Sequence, residues 1–151
     1  MTNQSISTQI IDTIRLNRIS TTEVADALGK NHVMGGVQPL INDLHCVGLV
    51  HPIFAANNSN YTVHEQIRNI KPYEIPIIFT HQCNQRAIIG DLVSKFVTMY
   101  KRASALVVDG YVRDAARLRR ERYPVWCAGT TPLGCFNVKA DPFPKDKQDS
   151  I

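Results

Sequence analysis

"AIIGDLVSKFVTMYKRASALVVDG", residues 87–110, is the stretch that decides the fold. It opens as an apolar run, passes through Gly90 into a helical pattern carrying Leu92, Val93, Phe96, Val97 and Tyr100, and returns to a second apolar run ending near Val108. A change of hydrophobic period from two to 3.6 and back predicts a strand, a helix and a strand. After it come "RDAARLRRER", a basic helical stretch, "YPVWCAG", a short strand, and "TTPLGCFNV", read as a loop and a strand. Alternating strands and helices predict an α/β fold with a mixed sheet packed on helices.

Upstream, "STTEVADALG" carries its own helix signals: Ser20 and Glu23 have capping-box spacing, and Gly29 sits where a C-terminal cap belongs. Ile10, Ile11 and Ile14 predict a helix before it. "CVGLVHPIF" and "IPIIFTH" read as strands, with "AANNSNY" as a loop and "TVHEQIRNIKPYE" as a short helix that stops before Pro72. No internal repeat is visible. The expected organisation is a single domain over residues 1–139, followed by a proline-broken polar tail over 140–151.

A chain of 151 residues can bury roughly 70% of its unfolded surface without a disulfide or a structural metal. The 44% hydrophobic and 20% charged content excludes a disordered or fibrous chain. No run approaches the roughly 18 apolar residues of a membrane span, and no signal-peptide core opens the chain, so no membrane association and a cytoplasmic location are expected. Cys46, Cys83, Cys127 and Cys135 lack CxxC spacing and read as reduced thiols. A net charge of +4 is modest enough to leave nucleic acid an unlikely partner. His32, His45, His51, His64 and His81 lack the spacing of a zinc centre and read as structural or exposed. No GxSxG, GxxxxGK[ST] or GxGxxG pattern occurs, which argues against serine-nucleophile and nucleotide chemistry.

Two short stretches can carry chemistry. Gly90 followed by a helix at Asp91 leaves the amides of Asp91, Leu92 and Val93 ahead of the helical ladder, where an anion can bind. The bland alternative has Asp91 capping its own helix. In "ALVVDGYVRDAARL", residues 105–118, the strand is expected to end near Val108 in a turn at Asp109-Gly110, setting Arg113 and Asp114 beyond its carboxyl end. There Arg113 can stabilise an oxyanion or bind a carboxylate, and Asp114 can hold a hard cation. The alternative is a surface ion pair with Asp114 as helix cap. Arg113, Arg117 and Arg120 fall on one helical face, expected to be solvated or turned to a subunit. Trp126 is expected in the core or at a subunit interface.

In their order along the chain, "STTEVADALG", "GVQPL", "CVGLVHPIF", "AIIGDLVSKFVTMYKRASALVVDGYVRD" and "YPVWCAGTTPLGCFN" resemble the family of the regulator of ribonuclease activity A. That family also contains the 4-hydroxy-4-methyl-2-oxoglutarate/4-carboxy-4-hydroxy-2-oxoadipate aldolases, and the similarity spans residues 20–138. The resemblance implies a swivelling β/β/α domain, a mixed central sheet flanked by helices, with the C-terminal part shortened. From the aldolase branch it implies a lyase that uses magnesium, or another divalent cation such as manganese. Such an enzyme cleaves 4-hydroxy-2-oxo acids to pyruvate and decarboxylates oxaloacetate, both through the pyruvate enolate.

On these positions the resemblance implies that Gly90 and the amides of Leu92 and Val93 bind the pyruvate carboxylate. Arg113 would hold the C2 oxygen, Asp114 would be the direct metal ligand, and Asp91 would hold a metal-bound water. Where the aldolases carry an acid three residues beyond the RD aspartate, this chain has Arg117. The resemblance further implies a homotrimer or a hexamer with sites between subunits. Its regulator branch implies a different activity, a non-catalytic protein that masks a ribonuclease or helicase surface.

Overall fold

The computed structural model describes residues 5–149. Five strands form a continuous path in the order β1-β6-β5-β3-β2: β1 (Gln38–Pro39), β2 (Val50–Ala56), β3 (Ile75–His81), β5 (Leu106–Val112) and β6 (Val125–Thr130). A sixth, β4 (Ala87–Ile89), pairs in parallel with the far end of β5. All pairings are parallel except β1 on β6, so the sheet is mixed.

Alternation along the strands assigns their faces. Ile53, Ile78, Leu106 and Val108 are fully buried and share a core with Val63, Val97 and Leu118. Those last three belong to α3 (Tyr61–Gln66), to the helix that follows β4, and to α5 (Ala115–Arg120), so helices cover this face. Each fully buried Ile or Leu contributes on the order of 1.5–3 kcal/mol. On the opposite face Ile77, Val107 and Trp126 look toward α1 (Ile6–Leu16) and α2 (Thr21–Ala27) across an apolar cavity of about 400 Å³. Trp126 is half-buried there and lies in β6 opposite Pro39 of β1.

The capping box forms as expected: Ser20 Oγ accepts from the Glu23 N–H at 3.2 Å, and Glu23 accepts from the Ser20 N–H at 2.7 Å. Beyond α2, Gly29 takes φ +70°, a left-handed value that glycine adopts without a Cβ penalty.

The structure corrects several expectations. β5 does not break at Asp109-Gly110; it runs on to Val112 through an irregularity of register between Val108 and Tyr111. Thr80 on the neighbouring strand makes this possible. Its N–H and hydroxyl donate to the Asp109 carboxylate at 2.8 and 2.7 Å, and a Cβ on Gly110 would lie 3.0 Å from its Cγ2. Past Thr130, which ends β6, "TTPLGCFNV" forms no strand; single bridges link Gly134 to Ala87 and Phe136 to Ser59. The basic helix is only Ala115–Arg120, so Arg113 stands outside it and the three-arginine face does not exist.

The helix after β4 begins as α4 (Asp91–Lys95) and continues as a π-helical turn over Phe96–Tyr100. Near the C-terminal end of the described residues, the Phe143 ring lies 5.0 Å from Phe54 and 5.8 Å from His81. A short helix, α6 (Lys145–Gln148), follows.

Candidate functional site

Because β4 and β5 run parallel, with Ile89 opposite Val112, their carboxyl ends release Gly90-Asp91 and Arg113-Asp114 side by side. The Arg113 N–H donates to Ile89 O at 3.0 Å and ties the two exits together. Asp114 then takes φ +58°, a left-handed conformation that aspartate adopts more readily than most residues other than glycine. It stands at the N-cap of α5, but its carboxylate does not cap that helix. Oδ2 instead accepts from the Asp91 N–H at 3.1 Å.

Gly90 is required by that approach. A Cβ there would lie 2.3 Å from Asp114 Oδ2 and 3.0 Å from Arg113 Cγ. Gly134 serves the same purpose on the far side of the arginine, since its Cβ would meet Arg113 Nη1 at 2.8 Å. The guanidinium of Arg113 therefore lies between two glycines with its Nε 3.7 Å from Asp114 Oδ2. At that distance the Arg113–Asp114 contact is a loose ion pair between partly exposed groups, and it explains neither the left-handed Asp114 nor the two glycines.

Gly90, with extended backbone, is the N-cap residue of α4 and has no side chain to cap it; the Asp114 carboxylate takes the first amide, that of Asp91, instead. Gly90 O receives the Ser94 N–H at 3.1 Å and the buried Ser94 hydroxyl at 2.9 Å. The amides of Leu92 and Val93 thus precede the ladder. Asp91 does not cap its own helix; its carboxylate, 18% exposed, pairs with Arg117 Nη1 at 3.0 Å. The two carboxylates and the two guanidinium groups balance to no net formal charge.

Asp91, Arg113 and Asp114 border a pocket of about 140 Å³ whose other walls include Asn60, His64 and Cys135. Asn60 donates through Nδ2 to Ile88 O at 3.1 Å, while its buried Oδ1 has no partner in the structure. A hydrogen bond from Cys135 is the main cause that brings the Cys83 thiol down to about 7, against the opposing effect of burial. The same contact pushes Cys135 upward.

Among the described residues no three His, Cys, Asp or Glu side chains gather in a way that could enclose a metal. Two neighbouring carboxylates are hard oxygen donors, however. They fit a cation such as magnesium, which keeps several of its waters and needs only one or two protein carboxylates. They do not fit zinc, which favours a closed set of nitrogen and sulfur ligands.

The family model described as RraA-like, Aldolase/RraA, matches residues 21–142. The chain belongs to the RraA-like family. A curated relative from Halalkalibacterium halodurans, named "Putative 4-hydroxy-4-methyl-2-oxoglutarate aldolase", is 30% identical over 114 residues. That match covers 75% of this chain and 54% of the relative, so the chain spans about half the length of the curated protein it matches.

Two solved RraA structures share the fold. The RNA-processing inhibitor RraA from Thermus thermophilis has a TM-score of 0.66 at 16% identity, over 82% of this chain and 74% of that one. Streptomyces coelicolor RraAS2, described as an unusual member of the RNase ES inhibitor RraA protein family, has a TM-score of 0.73 at 20% identity, over 89% and 70%.

Every RraA-like site position expected from the motifs, Gly90, Asp91, Leu92, Val93, Arg113 and Asp114, borders this one pocket. Asn60, Gly134 and Cys135 were not foreseen there, and His64 was expected only as a structural or exposed residue. Asn60 lies in a stretch that looks like plain loop, and Gly134 follows a proline-containing turn. Only the pairing of residues 133–136 with β4 and with the turn after β2 carries them to the site.

Proposed function

We propose that this chain is a divalent-cation-dependent lyase of the 4-hydroxy-4-methyl-2-oxoglutarate aldolase type. It would cleave 4-hydroxy-2-oxo acids, decarboxylate oxaloacetate, or both, to give pyruvate. The observation that carries the reading is the convergence of Gly90-Asp91 and Arg113-Asp114 at the adjoining ends of β4 and β5, in an RraA-like chain.

In this reading the amides of Leu92 and Val93 receive the C1 carboxylate of the 2-oxo acid, and Gly90 lets it approach the backbone. Arg113 donates to the C2 oxygen, where negative charge gathers as the C3–C4 bond breaks and the pyruvate enolate forms. Gly90 and Gly134 leave room for that guanidinium beside the carboxylate site, where an added Cβ on either would crowd it. Magnesium or manganese, held by Asp114 and through water by Asp91, would supply Lewis-acid withdrawal of electrons from the same oxygen. Asp114 is itself held by the Asp91 N–H, so the cation ligand and the carboxylate site move together. We further propose that the working form is a homotrimer or hexamer.

Incubating the purified protein with oxaloacetate and magnesium, with and without EDTA, tests this directly. Pyruvate should form above the uncatalysed background only with the metal. Arg113→Ala and Asp114→Ala should each lower turnover by about 10²-fold or more while leaving the circular dichroism spectrum unchanged. Metal-independent background in the parent, or full activity in both variants, rejects the assignment.

A second reading is favoured by one observation, the Arg117–Asp91 pair, which neutralises a carboxylate that the lyase would turn to a cation. It is a non-catalytic regulator that binds a ribonuclease or helicase partner. Capture of such a partner by the Asp114→Ala variant, together with no lyase activity in the parent, would favour it.

A further inference from the structure

We infer that Arg117 is a competitor, built into the chain, for the cation side of the site: by holding Asp91 it weakens divalent-cation binding. The inference rests on the proposed lyase reading for where the cation sits, but it concerns binding and not turnover.

The Arg117 guanidinium reaches Asp91 Oδ2 at 3.0 Å, within ion-pair range, and Asp91 is the more enclosed partner, 18% exposed against 57%. A carboxylate largely withdrawn from water needs a counter-charge, and here an arginine provides it. The second carboxylate is also partly committed, since Asp114 Oδ2 accepts from the Asp91 N–H at 3.1 Å with Arg113 Nε 3.7 Å away. A divalent cation arriving between the two carboxylates therefore meets two positive charges already in place and must displace one.

Arg113 is the more loosely held charge, its Nε 3.7 Å from Asp114 Oδ2, so it need not leave for a cation to reach Asp114. Arg117, on Asp91 at 3.0 Å, is the one a cation must displace to reach that carboxylate. Its backbone is anchored in the first turn of α5, Arg117 N–H to Asp114 O at 2.9 Å, but its long side chain is more than half exposed and can swing into solvent. The competition is thus reversible, and it is a property of the residue at position 117.

Titrating the full chain with manganese, and counting free ion by electron paramagnetic resonance, gives the binding constant without any substrate. Arg117→Gln should bind manganese about fivefold or more tightly than the parent, allowing for screening of an exposed charge. Adding Asp91→Asn to that variant should remove most of the gain. Arg120→Gln deletes the same charge from the same helix, but its guanidinium pairs with Glu121 and not with the site; it should stay within about twofold of the parent. Matching circular dichroism and melting temperatures establish that the variants are folded.

Equal manganese affinity in the parent and Arg117→Gln overturns the inference. So does an equal gain in Arg120→Gln, or no saturable manganese binding by either the parent or Arg117→Gln. Absence of pyruvate formation counts only against the lyase reading, because the manganese titration is decided independently of it.

Discussion

Asp109 lies within β5 with its carboxylate turned to Thr80, whose N–H and hydroxyl both donate to it. Burial raises its pKa above the ordinary 3.8, and the Thr80 hydrogen bonds oppose that rise. The folded state therefore holds the Asp109 proton more tightly than the unfolded chain does. Its contribution to stability falls as pH rises from 3.8 to the raised folded value and is flat above it. Asp109→Asn should abolish that local decline and melt no lower than the parent at neutral pH, because the amide oxygen still accepts from Thr80. Asp109→Ala should lose about 1 kcal/mol, since the Thr80 N–H then lacks its partner. Calorimetric melting from acid to neutral pH checks both; an asparagine variant that keeps the parent's pH slope would show that Asp109 does not cause it. Arg117 poses a different problem at this scale. Its sign is legible in the sequence as a base where the aldolases carry an acid, but only the fold shows that it faces Asp91 and not open solvent.

Where two elements meet, the tightest contact at the site is the approach of Gly90 to Asp114. An added Cβ would stand 2.3 Å from a carboxylate oxygen and crowd Arg113 as well. Gly90→Ala should push Asp114 off the Asp91 N–H, cost about 1–3 kcal/mol, and eliminate lyase turnover. Gly35→Ala, with open space around its Cβ, should leave both unchanged. Melting temperatures and pyruvate formation measured side by side on the two variants decide this, and a fully active Gly90→Ala would sink the geometry argued here. The strand-helix-strand unit and the Gly90-Asp91 and Arg113-Asp114 steps were legible because periodicity and motif spacing are local. The end of β5 was not, since Asp-Gly ordinarily signals a turn, and only contacts with Thr80 and pairing with β4 and β6, all beyond the local sequence, keep those residues in the sheet. For the same reason Asn60 and Gly134 could not be assigned to the site. Their roles come from long-range pairing, and their own segments carry no periodic signal.

Across the whole molecule, the ground beside the pocket is apolar and open. Leu92, at the pocket, is 76% exposed, and the same helix ends about 12 Å further along in exposed Met99 and Tyr100, the Tyr100 ring stacked on Phe96 at 6.0 Å. Leu133, Phe136 and Val138 are exposed on the segment that closes the other wall. Exposed apolar side chains running from the pocket along one helix suit a surface that another protein surface covers. In the proposed trimer or hexamer that surface is a second copy of this chain, so the pocket would be completed at a subunit boundary. Sedimentation velocity should then give three or six times the 16.9 kDa chain mass. Tyr100→Glu, which places a charge in this patch without touching Arg113 or Asp114, should shift the distribution toward monomer. Lyase activity should fall in parallel with the loss of oligomer and recover as protein concentration is raised. A parent protein that sediments as a monomer and is fully active would show instead that one chain holds the complete site.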